Sequence, residues 1–367
     1  MDKWPDHRIQ EMLGVQLPII QAPMAGANKS AMAIAVSEAG GLGSLPCAML
    51  NADQIRAEWK TIRQQTSRPI NVNFFCHQLP ESDAVRERAW RQRLAKYYVE
   101  LGLDPEASLP SASRRPFDST ACDLIAEFKP EVVSFHFGLP ESALLARVKA
   151  IGARILGTAT TVEEARWLEQ RGCDAIIAQG YEAGGHRGMF LTGDISTQAG
   201  TMALVPQMVD AVGVPVIASG GIGDARGILA AFALGAAAVQ LGTAYLLCPE
   251  AILSSVHRHA LENLKDDGTA ITNIFSGRPA RGIMNRIMRE LGPMSDLAPQ
   301  FPLAGSAIAP LRKHSEAAES EDFAQMWSGQ AGRLCRKLPA GELTRQLASE
   351  TLAALRRREQ ATASPAR

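Results

Sequence analysis

Residues 178–190 read AQGYEAGGHRGMF and place Glu182, His186 and Arg187 among four glycines, just after an apolar run. Glu182 and His186 have the i,i+4 spacing of a helical metal pair. Gly184 and Gly185 between them rule out a well-formed helix, so that reading fails. A histidine reached through glycines can instead come close to a flat ligand. The plainer alternative is a loop histidine with no role, and position along the fold has to separate the two.

Short apolar runs alternate with helical patterns, as in βα units around a parallel sheet. The runs lie at 17–23, 42–45, 69–75, 132–137, 154–160, 174–180, 214–221 and 236–243. Between them, Asn51 with Gln54 and Thr161 with Glu164 have capping-box spacing. Eight strands, most separated by one helix, predict a (β/α)8 TIM barrel. A doubly wound sheet lacks a proper GxGxxG after any strand, and GGIGDARG has one residue too many.

We therefore expect a barrel over 1–255 with a lid insertion at 76–116 near its mouth. A C-terminal helical extension packed on the barrel is expected over 256–367, ending in a disordered tail, ATASPAR. A connection as long as 76–116 is often a lid or binding element.

In such a barrel the site lies at the C-terminal ends of the strands. The residues there are Met24 after the first strand, Asn73 in the third and His136 in the fourth. Gln179 ends the sixth, Ser219 to Gly221 the seventh, and Gln240, Leu241, Gly242 and Thr243 the eighth. Glycines in the last two loops let backbone N–H groups approach an anion, and Asp224 can cap the helix that follows. A phosphate is expected there, and His186 falls beside it. His136 is the rival histidine, but its FHF context fits packing equally well.

Composition narrows the partners. The 367 residues are 46% hydrophobic with zero formal net charge, so no global field recruits nucleic acid or a membrane surface. Six scattered cysteines contain no CxxC or Cys/His cluster, which indicates neither a metal site nor a disulfide framework and fits a cytoplasmic protein. The first ten residues, MDKWPDHRIQ, show no signal-peptide stretch. Residues 227–249 carry no charge, yet their glycines, Gln240 and Thr243 parse better as a short helix, a stop at Gly235 and a buried strand. A monomer or homodimer is expected.

QAPMAG (21–26), PINVNFF (69–75), VSFHFG (133–138), AQGYEAGGHRG (178–188), ASGGIGD (218–224) and AVQLGTAYLLCPE (238–250) together resemble the FMN-dependent nitronate monooxygenases, also called 2-nitropropane dioxygenases. SGRPARGIMNR (276–286) and FAQMWSGQA (323–331) extend the resemblance over nearly the whole chain. It implies non-covalent FMN and oxidation of alkyl nitronates, such as propionate 3-nitronate, by O2 to a carbonyl compound and nitrite. Carried onto this chain, it implies FMN held by the Met24 backbone, Asn73, Gln179, Gly184, Gly221, Gln240, Leu241, Gly242 and Thr243. It puts His186 over the flavin as the catalytic residue: a base with a near-neutral pKa towards neutral nitroalkanes, and a group that positions and neutralises the anion of a nitronate.

One segment departs from the family. QFPLAGSAIAPLRKHS (300–315) has no tyrosine and no lysine before Lys313, where relatives often carry both; Phe301 supplies the aromatic group. Substrate preference is the property this bears on. Similar FMN barrels include NAD(P)H:quinone and enoyl reductases, which rapid bleaching by NADH would reveal. A non-redox phosphate-binding isomerase or lyase on the same barrel would be colourless.

Overall fold

The computed structural model describes residues 4–81, 83–110 and 114–363. The strands are β1 (Ile19–Gln21), β2 (Gly43–Pro46), β3 (Ile70–Phe75), β4 (Val132–His136), β5 (Arg154–Ala159), β6 (Ala175–Gln179), β7 (Gly185–His186), β8 (Val216–Ser219), β9 (Ala238–Leu241), β10 (Thr269–Thr272) and β11 (Ala280–Ile283). Eight of them run parallel in the order β1-β9-β8-β6-β5-β4-β3-β2, and a parallel bridge from Ile20 to Leu42 closes the ring. Each expected apolar run is one of these strands. The protein is a (β/α)8 barrel.

The strand period of two decides where the site can be. Alternate residues point inward, and the inward set changes character along the strands. Near the N-terminal ends it is apolar: Ile20, Leu42, Val132, Leu156 and Ile217 pack with Ile9 and Leu13 of the helix Arg8–Leu13, which plugs that end. Two residues further on, Asn73, Ser134, Thr158, Gln179, Ser219 and Gln240 face a cavity. The barrel is therefore a dry plug below and a polar floor above.

Local signals hold with one change. Asn51 and Gln54 form the reciprocal capping box. Asp224 caps Ala225–Ala233 through the N–H groups of Arg226 and Gly227. Thr161 caps the Glu164 N–H at 3.2 Å, but Glu164 does not return the bond. Its fully buried carboxylate is used elsewhere in the barrel rim. The uncharged stretch 227–249 divides as expected, with Gly235 at φ 93° before β9. Among the described residues no helix is long and apolar enough to cross a membrane.

The insertion forms the helix Ala84–Glu100, whose Trp90, Leu94, Tyr97 and Tyr98 share a core with Ile308, Leu311 and Phe323. Tyr98 donates its hydroxyl to the Ala307 carbonyl at 2.6 Å, so this element is fastened to the C-terminal region. Residues 111–113 of the expected lid lie outside the described residues. Beyond 250 the chain is not wholly helical. β10 and β11 pair antiparallel, and β11 also pairs with β7, aligning Ala280 with His186. The ARGI of β11 is buried on both sides, so it carries no polar–apolar alternation to announce a strand. The last helix, Ala340–Ala363, packs Leu343 and Leu347 into the barrel core, where each contributes about 1.5–3 kcal/mol by burial. It includes part of the expected disordered tail, and 364–367 lie outside the described residues.

Candidate active site

At the C-terminal ends of the barrel strands is a cavity of about 610 Å³, a size typical of small-molecule sites. Met24, Asn73, Gln179, Gly184, His186, Gly221, Gln240, Gly242 and Thr243 all line it. Leu241 does not. Its side chain alternates outward from Gln240 and is buried in the core, so it offers the cavity no side-chain contact. Met24 also differs in detail, because its N–H is already bonded to Asn28 Oδ1 at 2.9 Å.

The glycine-rich loop is held firmly. Gln179 donates to the His186 carbonyl at 2.9 Å and accepts from Gly188 N–H at 2.7 Å. The buried Arg187 guanidinium donates to the carbonyls of Gly180 and Gln179 and to Gln198 Oε1. Glu182 accepts from the N–H and hydroxyl of Thr201, both at 2.8 Å. Glu164 accepts from Phe190 N–H at 2.5 Å and Leu191 N–H at 3.2 Å, while its other oxygen takes Thr160. Glu182 and Arg187 are thus braces; Glu182 and His186 both line the cavity, but the Glu182 carboxylate is already taken by Thr201.

The glycines serve close packing. A Cβ on Gly184 would lie 2.5 Å from Gly329 N, and one on Gly188 would lie 2.6 Å from Thr158 Cγ2. Gly185 has φ 70°, which L side chains rarely adopt.

His186 Nε2 lies 2.8 Å from Ser276 Oγ, and rings of Phe301 and Trp327 stand 5.3 and 5.4 Å away. Burial, reinforced by the positive charge of Arg114, holds its pKa well below the usual histidine value. The expectation of a near-neutral pKa is therefore corrected: this imidazole is neutral. His136 also lines the cavity, bonds the His186 carbonyl through Nε2 at 3.2 Å, and is pushed down to about 3 by burial. It supports the loop from below.

Another part of the cavity suits an anion. Gly221 adopts φ 70°, and the N–H groups of Gly221, Ile222, Gly242 and Thr243 donate to no protein acceptor among the described residues. The Thr243 side chain accepts from Gly329 N–H, and its carbonyl accepts from Cys335 Sγ, so a C-terminal turn fixes the loop. Gln240 Oε1 is buried without a partner in the cavity wall. Unpaired amides and an orphaned carbonyl of this kind are what a phosphate and a ring-bearing ligand would satisfy.

Sequence reasoning missed four contributors. Ser276, Arg114, Arg312 and Trp327 reach the site from the insertion or the C-terminal region, far from any strand end. Only the quoted SGRPAR and MWSGQ motifs signalled two of them.

The nitronate monooxygenase family model matches residues 6–350. The chain belongs to the nitronate monooxygenase family. A nitronate monooxygenase of Pseudomonas aeruginosa is 43% identical over 94% of this chain and 98% of its own. One of Paraburkholderia phytofirmans is 42% identical over 92% and 93%. In structure, the nitroalkane oxidase of Streptomyces ansochromogenes superposes with a TM-score of 0.86 at 37% identity, covering 96% of this chain and 99% of that one. FabK of Thermotoga maritima gives 0.75 at 25% identity, over 98% and 99%. Membership of the nitronate monooxygenases implies a flavin cofactor, and the free amides and orphaned Gln240 carbonyl fit one.

Proposed function

We propose that this chain oxidises alkyl nitronates with O2, giving a carbonyl compound and nitrite, and that its flavin is FMN. The observation that carries the reading is the presence of a neutral His186 and an unsatisfied amide nest in one cavity. The phosphate of FMN would be held by the N–H groups of Gly221, Gly242 and Thr243, with Gln240 and Asn73 beside the ring and ribityl chain. When bound, the flavin supplies the electron-accepting chemistry and its reoxidation by O2.

The chain's own residues do the positioning. Ser276 Oγ lies 2.8 Å from His186 Nε2 and 3.3 Å from the Arg278 carbonyl. When its hydroxyl donates to Nε2, the neutral imidazole carries its N–H on Nδ1, the tautomer that can donate to an anion. A nitronate has already lost its α-proton, so His186 orients it rather than deprotonating it. Burial first, and then the cationic field of Arg114 and Arg278, keeps His186 neutral, and that field favours an anionic substrate. A neutral nitroalkane would meet a weak base and react slowly.

Anaerobic mixing of FMN-loaded protein with propionate 3-nitronate tests this. Loss of the oxidised flavin absorbance, restored by O2 with nitrite release, is expected. A spectrum unchanged by the nitronate but bleached by NADH would overturn it in favour of a reductase.

A further inference from the structure

Arg114 is carried into the cavity wall by the connection between β3 and β4, the segment expected to form the lid. Other arginines near the site have protein partners. Arg187 is bonded to two carbonyls and Gln198. Arg278 donates to the Met189 carbonyl and lies 4.0 Å over the Phe137 ring. Arg312, also in the wall, donates to Gln325 Oε1 at 3.0 Å and stands 3.8 Å from Glu316. Among the described residues Arg114 has no carboxylate partner; its guanidinium lies only 5.6 Å over the Phe301 ring.

We infer that Arg114 is a specificity-determining residue that binds a carboxylate at the far end of the substrate from the nitronate group. The inference rests on the nitronate reading above and assigns what that reading leaves open. His186 and Arg114 line the same cavity, and both pack on the buried Phe301 ring, at 5.3 Å from the imidazole and 5.6 Å from the guanidinium. A short carbon chain in that cavity would put the nitronate at His186 and a carboxylate at Arg114.

The arrangement of charge agrees. Arg114, Glu182, Arg312 and Glu316 line the cavity; Glu182 is held by Thr201 and Glu316 by Arg312, so neither carboxylate is paired with Arg114. Burial and the neighbouring Arg312 pull the Arg114 pKa down to about 10, so it stays charged at neutral pH but lacks a counter-ion. A guanidinium in this state gains most from a planar carboxylate, which accepts two parallel N–H bonds. The segment 300–315 supplies no tyrosine and no lysine before Lys313 to do this, so the anion is read from the insertion instead.

The test compares propionate 3-nitronate with propyl-1-nitronate, which has the same carbon count and no carboxylate, in wild type, Arg114→Gln and Arg114→Lys. Arg114→Gln should lower kcat/KM for propionate 3-nitronate roughly 10- to 100-fold further than for propyl-1-nitronate. The loss should fall mainly on KM, and Arg114→Lys should recover part of it. Equal losses on both substrates, or no loss, would overturn the assignment. A binding arm separates this from the activity itself: 3-nitropropionate and 1-nitropropane are titrated into FMN-loaded protein and followed by the flavin spectrum. If wild type oxidises neither nitronate, the activity reading fails. Arg114 then stands only if 3-nitropropionate binds tighter and Arg114→Gln removes that advantage; equal binding sinks it.

Discussion

His186 Nε2 lies 2.8 Å from the hydroxyl oxygen of Ser276, ninety positions further along the chain. The contact fixes the imidazole's orientation from the C-terminal sheet, because β11 pairs with β7 and brings the 276–280 turn against the barrel rim. His186→Asn should retain bound FMN, since His186 is not part of the amide nest. Steady-state assays should show turnover falling at least 10-fold with nitronate. Ser276→Ala should show a smaller loss in the same direction; a larger loss than His186→Asn would contradict the positioning role.

The pH profile follows from the direction of the His186 shift. Its pKa in the folded protein is below the usual value, so the imidazole is already neutral well below pH 6.5 and gains nothing as pH rises through that value. The kcat/KM for nitronates should therefore be flat between about pH 6 and 8, where an unperturbed histidine would titrate. An inflection near the ordinary histidine pKa would count against a buried, neutral His186.

Gly242 tests the anion nest. A Cβ there would sit 3.4 Å from Ala22 Cβ and 3.7 Å from Met24 Sδ, so one carbon fits and a branched side chain does not. Gly242→Ala should keep most of its flavin, whereas Gly242→Val should purify with well under half of the wild-type flavin content. Equal flavin:protein absorbance ratios in the two variants would remove this loop from the cofactor site.

Glu164 anchors the loop from a distance. Its buried carboxylate accepts from Thr160 N–H, Thr160 Oγ1, Phe190 N–H and Leu191 N–H. Glu164→Gln keeps the size but turns an NH2 group towards donors, which should cost about 2–3 kcal/mol of stability in urea unfolding. Proteolysis should then increase between 187 and 191. A variant as stable as wild type would show that the loop is held by Arg187 and Gln179 alone.

Buried histidines make stability acid-sensitive. Burial depresses His77 and His257 to about 4 in the folded state. Both take up protons more readily when unfolded, so stability is present above about pH 6.5 and is lost as pH falls towards 4. Each adds a slope of up to about 1.4 kcal/mol per pH unit in that window. His257→Gln should flatten the curve of unfolding free energy against pH between 4 and 6.5 by about one such step. A slope that does not change would mean His257 titrates normally.

The barrel and most of its rim were legible because they depend on short-range patterns. Apolar runs separated by helices specify strands, and the period of two along those runs already places Asn73, Gln179 and Gln240 on the inward face above an apolar plug. By the same alternation Leu241, which follows Gln240, points its side chain outward into the core. Gly220 and Gly221 after the seventh barrel strand and Gly242 after the eighth stand where the unpaired N–H groups lie, because backbone freedom lets those groups converge.

Tertiary structure alone decided the state of the His186 imidazole and the far wall of the cavity. Gly184 and Gly185 bring no side chains to hold their loop, yet Glu164, Gln179 and Arg187 pin it through bonds to backbone groups. The His186 pKa is set by burial and by Arg114, from a connection whose proximity no local pattern encodes. Hydrogen-bond partners and electric fields are properties of distances in space, whereas strand periodicity and turn chemistry are properties of neighbours along the chain.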